Sequence, residues 1–531
     1  MSKNYRFRKY TGERSFRNRF ASPEEVKSIL YQVDLNKDIP LNHGGAAFIS
    51  DTQTAWVDDG DYHTLILGST GSMKTRLFVM PTVFTLGLAG ENMVITDPKG
   101  EIYEKASGFL EKKGYEIKVL NLREMENSDC WNPLSEAYHL YVEGRKEEAF
   151  KQTNDFVASL CAGLSEKTND LFWPEAAKQF IQGLVETVVR GGKSEAEVNM
   201  SSVLSLVSYT RGPRGSNEDS VLRKFVNRLP PHNSIRQHME TTVCNANNTM
   251  GGILGLVAAA LQPFVSSTLL QRLSARSTID LHAFKDPDKK VAVFVIVPDE
   301  TTTFHFFVAS FVKQLYSACI ADAFACPGGS LPRRMNFILD EFANIPYIAD
   351  MATMITAGRS RNIRFYLVVQ SDNQLKSVYK DQAETIKTNC LNWVYLASKE
   401  NALIQQVQTM VGTLQRGVNS DPLISFFELT SLKKRWGEDG GAEALILISR
   451  SKPYMTFLPD ISRFKQFQNF KPHPLPKTES EIVYFNANER LISLSPTQIL
   501  KIYQDKLPEE TVESEESTYD IFKNISSWPN E

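Results

Sequence analysis

The sequence predicts an α/β fold in which a mostly parallel central sheet, covered on both faces, is interrupted by an all-α domain. Three observations lead there. From about Tyr62, short apolar runs alternate with helical stretches, as in β-α-β units with both faces buried. Between about Asp170 and His282 strand signals vanish, and Ala176, Phe180, Leu184 and Val188 recur every fourth residue, as on one face of a helix. Beyond that stretch short, β-rich apolar runs return, so the helical part interrupts one domain.

The elements follow in order. Residues 1–20 carry seven Lys or Arg and one acid with no apolar core, which reads as a basic arm and not a secretory signal. His63–Leu67 reads as a buried strand, Lys74–Leu88 as a helix, and Met93–Thr96 and Ile117–Leu120 as further strands. After the helical stretch, Val291–Val297, Met335–Leu339, Ile363–Val369, Trp393–Leu396 and Leu445–Ile448 resume the sheet. The Pro-rich run 471–476 reads as an extended linker, and residues 505–531, with eight acids against two lysines, as a flexible appendage. The expected division is 1–60 basic arm and lead-in, 61–169 and 286–464 the two parts of a nucleotide-binding domain, 170–285 an all-α domain, and 465–531 linker and tail.

With 531 residues, 42% hydrophobic and 23% charged, and a net charge of -3, the chain reads as an ordinary globular protein whose nucleic-acid contacts would have to come from local patches. Cys130, Cys161, Cys244, Cys319, Cys326 and Cys390 form no C-x-x-C pair, which favours reduced thiols and a cytosolic setting over zinc or a disulfide framework. The longest apolar stretches, Leu77–Ala89 and Gly251–Leu261, fall short of the roughly 20 residues a membrane span needs.

The chemistry lies at two strand ends. Gly68, Ser69, Thr70, Gly71, Ser72, Met73, Lys74 and Thr75 follow a strand and open a helix, where backbone amides and the helix N-terminus face an anion. Lys74 suits the β- and γ-phosphates of ATP, and the Thr75 hydroxyl suits magnesium. Met73 stands where the G-x-x-x-x-G-K-[ST] pattern has its second glycine. Right-handed φ/ψ at the helix entry would turn its side chain away, so weakened rather than abolished nucleotide binding is expected.

Met335–Glu341 supplies the second motif, an apolar strand that delivers Asp340 to the magnesium shell with Glu341 available to activate water. Gln370 ends the next strand, placed to sense the γ-phosphate or hold the attacking water, though a solvated glutamine fits the position as well. Between them, Arg359 or Arg361 could act on a neighbouring subunit's nucleotide as an arginine finger, or form a solvated basic turn. Lys433–Trp436 and the basic arm are candidate phosphate-contacting patches for DNA, or plain solvated faces.

Asp97-Pro-Lys-Gly-Glu101, Leu339-Asp-Glu-Phe-Ala-Asn344, Gly358-Arg-Ser-Arg-Asn362 and Gln370-Ser371 together resemble the coupling proteins of type IV secretion and conjugation systems. Asp170-x-Phe-Trp-Pro-Glu175 resembles their Gram-positive members, and the similarity runs from about Gly45 to Phe464. The resemblance implies a RecA-like P-loop domain with an all-α domain, hexameric rings, and the linking of relaxase-bound single-stranded DNA or protein substrates to the secretion channel. It also implies Lys74 and Thr75 on phosphate and magnesium, Asp340 and Glu341 as Walker B, Arg359 as the finger and Gln370 as the sensor. Family members commonly carry N-terminal transmembrane helices. None is read here, so a cytoplasmic protein is expected, recruited to the membrane's cytoplasmic face by an anchoring partner or by the basic arm on anionic lipid. The acidic tail would dock a basic relaxase or accessory protein, or merely aid solubility.

The leading expectation is an ATP-driven translocase. A nucleotide-regulated docking adaptor with little turnover is the alternative, motivated by Met73 and the acidic tail. A helicase or defence ATPase sharing the core is disfavoured by the Asp97–Glu101 and Gly358–Asn362 signatures.

Overall fold

The computed structural model of the chain describes residues 18–167, 170–212, 219–416, 419–449 and 451–503. The basic arm before residue 18 and the acidic tail 505–531 lie outside the described residues. The chain divides into two units, one built from residues up to 132 together with 272–480, the other from 133–271 and the residues after 480.

The first unit opens with a small antiparallel sheet of β1 (Tyr31–Asp34), β2 (Ala46–Ser50) and β3 (Thr54–Asp58), in the order β1-β3-β2. The main sheet takes β4 (Thr64–Leu67), β5 (Asn92–Asp97), β6 (Glu116–Asn121), β7 (Val291–Ile296), β8 (Met335–Leu339), β9 (Ile363–Val369) and β10 (Asn392–Tyr395). A separate hairpin pairs β11 (Thr413–Arg416) with β12 (Asn419–Pro422), and β13 (Lys434–Arg435), β14 (Gly441–Leu447) and β15 (Tyr454–Pro459) return to the main sheet. The order is β13-β14-β10-β4-β9-β8-β5-β7-β6, with β15 also on β14. From β10 to β6 every neighbouring pair is parallel, while β13, β14 and β15 are antiparallel. Every residue of β5, β7, β8 and β9 is buried, which is why these strands read as continuous apolar runs. The charge inside β9 is satisfied: buried Arg364 pairs with Glu91 at 3.1 Å and donates to the carbonyls of Gly44, Asp58 and Gly60.

The Pro-rich run is extended but packed. Phe467 stacks on Phe84 with ring centroids 4.2 Å apart, the His473 amide donates to the Ser107 hydroxyl at 3.0 Å, and Tyr103 donates to the His473 carbonyl. This strap crosses the helix Glu101–Lys112 at Gly108, where a Cβ would collide with the Lys471 carbonyl oxygen.

The second unit centres on the helix Phe172–Gly191, whose Phe180, Leu184 and Val188 are fully buried. Where the sequence suggested 170 as its start, the unit begins at Pro133 with the helices Ser135–Val142 and Lys146–Cys161, and the helix Pro496–Tyr503 joins it. The Tyr503 carbonyl accepts from Arg190 at 2.9 Å. Gly251–Leu261, shorter in sequence than a membrane span, is part of a 20-residue helix, Asn247–Ser266, long and apolar enough to cross a membrane by length and composition. Its Ile253, Val257, Leu261 and Phe264 are buried within the unit. All six cysteines are free.

Candidate active site

Four neighbouring parallel strands bring the site together. In register, Leu67 of β4 faces Val369 of β9, Leu367 faces Leu339 of β8, and Leu339 faces Thr96 of β5. Gly68, Gln370, Asp340 and Asp97 therefore leave the same, C-terminal edge of the sheet, where open α/β sheets hold their ligands.

The loop after β4 is fastened to adjacent strand tips: the Gly68 amide donates to the Val369 carbonyl at 3.2 Å and the Ser69 amide to the Ala397 carbonyl at 2.9 Å. A Cβ at Gly68 would crowd the Ser72 hydroxyl and the Leu396 Cβ, so the glycine lets the loop pack closely here. Gly71 takes a left-handed turn at φ +76°. Met73 also lies in the left-handed region, at φ +68°, and not in the right-handed conformation expected of it. The loop keeps the backbone path of a glycine at this point. The methionine bears a strain of about 1–2 kcal/mol and offsets part of it by packing its side chain against the hydrophobic core. Lys74 opens the helix that continues through Thr75–Leu88.

Lys74, Thr75, Asp340, Glu341 and Gln370 form one cluster. The buried Lys74 ammonium donates to the Gly68 carbonyl at 2.7 Å, and desolvation lowers its pKa against the pull of Glu341 and Asp340. The Thr75 hydroxyl donates to Asp340 Oδ2 at 2.9 Å, and the Thr96 hydroxyl to the Asp340 carbonyl at 2.9 Å. Burial, reinforced by Glu341, pushes the Asp340 carboxyl up to about 6. Glu341 sits at φ +53°, and its Oε2 accepts from Gln370 Nε2 at 2.5 Å. Gln370 Oε1 in turn accepts from the Thr70 hydroxyl at 2.6 Å, tying the loop to the β8 end. Asp97, at the head of the Asp97–Glu101 motif, is buried and pushed up to about 7 by desolvation. Its Oδ2 accepts the Tyr103 amide at 2.8 Å, and its Oδ1 has no hydrogen-bond partner.

The model of the family described as type IV secretory system conjugative DNA transfer matches residues 20–420. The chain belongs to that family. It is 23% identical over 341 residues to a conjugal transfer protein TraG of Escherichia coli, covering 62% of this chain and 52% of TraG, and 22% identical over 327 residues to a probable TraG of Sinorhizobium fredii, covering 60% and 47%. The chain thus spans about half the length of the curated relatives it matches. Among solved structures, the conjugative coupling protein TrwBdeltaN70 in complex with sulphate aligns at a TM-score of 0.56 and 15% identity over 87% of this chain and 96% of its own. TrwB in complex with the non-hydrolysable ATP analogue ADPNP aligns at 0.57 and 14% over 87% and 97%, and TrwB with ADP and Mg2+ at 0.55 and 15% over 87% and 95%. The shared fold is the RecA-like P-loop sheet with an all-α domain.

The conjugative DNA-transfer signatures fall on both edges of this sheet. Arg359 precedes β9 and lies at the opposite edge from its Gln370 end, about 23 Å away along seven strand residues. There it pairs with Asp61 at 3.3 Å, lies over the Tyr62 ring at 5.1 Å, and lines a cleft of about 1010 Å³ with Asp59 and Arg334. Arg361 donates to the Gly329 carbonyl at 2.8 Å and covers Phe324. Neither reaches the loop of its own chain. Of the basic run, Lys434 does, donating to the Gly71 carbonyl at 2.7 Å, while Trp436 stands 74% exposed. Three contributors were given no site role from the sequence: Thr96, Asp97, named there only as the head of a family motif, and Glu400, whose Oε2 accepts from the Ser371 hydroxyl and the Asp372 amide behind Gln370. Only Asp97 carried a signal, its place at a strand end before Gly100.

The residues present fit a magnesium ion in the donor chemistry of Thr75 and Asp340, a hydroxyl and a carboxylate held together, with the unpartnered Asp97 oxygen nearby in sheet order.

Proposed function

We propose that this chain is the ATP-driven coupling protein of a conjugative type IV secretion system, recruiting relaxase-bound DNA, protein substrates or both and delivering them to the channel. The observation that carries the reading is the meeting at one sheet edge of the buried Lys74, held on the Gly68 carbonyl, with the hydrogen-bonded pairs Thr75–Asp340 and Glu341–Gln370, within a chain of the conjugative DNA-transfer family. Support for nucleotide and magnesium comes from the solved TrwB complexes of the same fold.

In this reading the Lys74 ammonium leaves the Gly68 carbonyl for phosphate oxygens, a stronger charge-assisted bond. Thr75 and Asp340 would hold a magnesium ion, which would supply charge neutralisation to the nucleotide's phosphates. Glu341 takes a proton from the attacking water, and Gln370, already bonded to both Glu341 and Thr70, reports whether the loop is filled. Arg359 serves a neighbouring subunit. A head-to-tail ring, for which we propose six copies, sets the N-terminal edge of one sheet against the C-terminal edge of the next. Attachment to the cytoplasmic face of the membrane would come from a partner.

Magnesium-dependent ATP hydrolysis, with and without single- and double-stranded DNA, tests the reading. Wild-type turnover stimulated by DNA is expected, reduced about 10²–10⁴-fold by Glu341→Gln and to background by Lys74→Ala. Background hydrolysis by folded, assembled wild type overturns it and leaves the docking adaptor.

A further inference from the structure

Lys434 belongs to the two-residue edge strand β13, whose register places it opposite Ala442 of β14. Its ammonium donates to the carbonyl of Gly71, the exposed left-handed residue at the tip of the phosphate loop, at 2.7 Å. The flanking residues of the basic run do other things: the Lys433 amide is held by Glu443 at 2.9 Å, and the Arg435 guanidinium lies 5.1 Å from the Phe457 ring centroid. Among the described residues no carboxylate lies within ion-pair distance of Lys434. A Cβ added at Gly71 would meet nothing within 4 Å, so the space beside the tip is open.

The arrangement repeats that of Lys74, which rests on the Gly68 carbonyl at the same 2.7 Å. The loop is therefore held between two cations, one delivered by its own helix and one by the antiparallel edge of the sheet, each on a neutral carbonyl that a phosphate oxygen would outcompete. Lysine suits the task, because its flexible stem moves a compact charge by several ångströms without moving the strand.

We infer that Lys434 is a second phosphate-contacting residue of the site, reaching from the Gly71 carbonyl to the terminal phosphate of a bound nucleoside triphosphate. The inference rests on the reading of Gly68–Thr75 as a nucleotide-binding loop. It assigns to one residue of a basic run, otherwise a candidate DNA patch, the task of distinguishing triphosphate from diphosphate. A charge-assisted bond made by a partly solvated lysine corresponds to a loss of about tenfold in affinity when removed.

Affinities of the full-length protein for a fluorescent non-hydrolysable ATP analogue and for the matching ADP analogue, both with magnesium, provide the test. Lys434→Ala should weaken the triphosphate about tenfold and leave the diphosphate within about twofold, with Lys434→Arg recovering most of the difference. Lys74→Ala serves as the control that weakens both. Equal affinities in Lys434→Ala and wild type, or an equal loss for both nucleotides, overturn the inference while leaving the loop's role intact. Wild type that binds neither nucleotide overturns the loop reading and this inference with it.

Discussion

Met73 shows how a single side chain is accommodated where the backbone path suits glycine. Met73→Gly relieves the left-handed strain but forfeits the packing against the core, so its stability should stay near wild type while nucleotide affinity rises. Met73→Ala keeps the strain and loses the packing, and thermal unfolding should register about 1–2 kcal/mol of destabilisation. The acids at the strand ends predict a pH dependence. Asp97 and Asp340 titrate at about 7 and about 6 in the folded chain, above their unfolded values, so the native state binds these protons more tightly. Their contribution is fully present below about pH 4 and is lost as pH rises through 6 and 7. In metal-free protein the Tm should fall across that window, and Asp97→Asn should flatten the fall. That Lys74, Thr75 and Asp340 come to one sheet edge was legible in the sequence, because the loop and the acid each follow directly on an apolar strand. The burial of Asp97 depends on tertiary packing and left no local trace, whereas the positive φ at Met73 was foreshadowed by the glycine that the loop pattern has at that position.

At the scale of elements, β9 carries Gln370 at one end and Arg359 at the other, and this separation has a measurable consequence. Lys74→Ala and Arg359→Ala should each abolish hydrolysis alone, yet a mixture of the two should recover part of the activity, because some interfaces then join an intact loop to an intact arginine. Loss without recovery would mean that Arg359 acts only within its own chain. The strap over Gly108 predicts a second effect. Gly108→Ala should cost about 1–3 kcal/mol and expose residues 471–476 to protease, read as a new cleavage in limited proteolysis. Parallel strands with both faces buried, such as β8 and β9, were legible to the residue because a single polar residue in each, Asn336 and Arg364, leaves the apolar run intact on both faces. The half-buried β1–β3 sheet was not, since its mixed burial leaves no run to find. The helices Ser135–Val142 and Lys146–Cys161 escaped as well, the first because it is only 8 residues long and the second because Lys146, Glu147, Glu148, Lys151 and Asp155 dilute its apolar positions.

For the whole molecule, the α/β class and the helical interruption followed from the change of hydrophobic period alone, whereas the division into units did not. A chain that returns to its second unit after residue 480 leaves no compositional mark at the crossing, because Phe485, Leu491, Ile499 and Tyr503 are spaced like any surface segment and find their cores only in three dimensions. That interleaving has a consequence for biosynthesis. β4 emerges from the ribosome well before its neighbours β9 and β10, with nearly 300 residues between Leu67 and Ile363, or about 15–60 s of translation at 5–20 residues per second. During that interval the strand that carries the phosphate loop has neither flanking partner, and the second unit in turn waits for the residues after 480. Nascent chains stalled before residue 363 should therefore depend on chaperones that shield apolar strands, and those stalled beyond 503 should not.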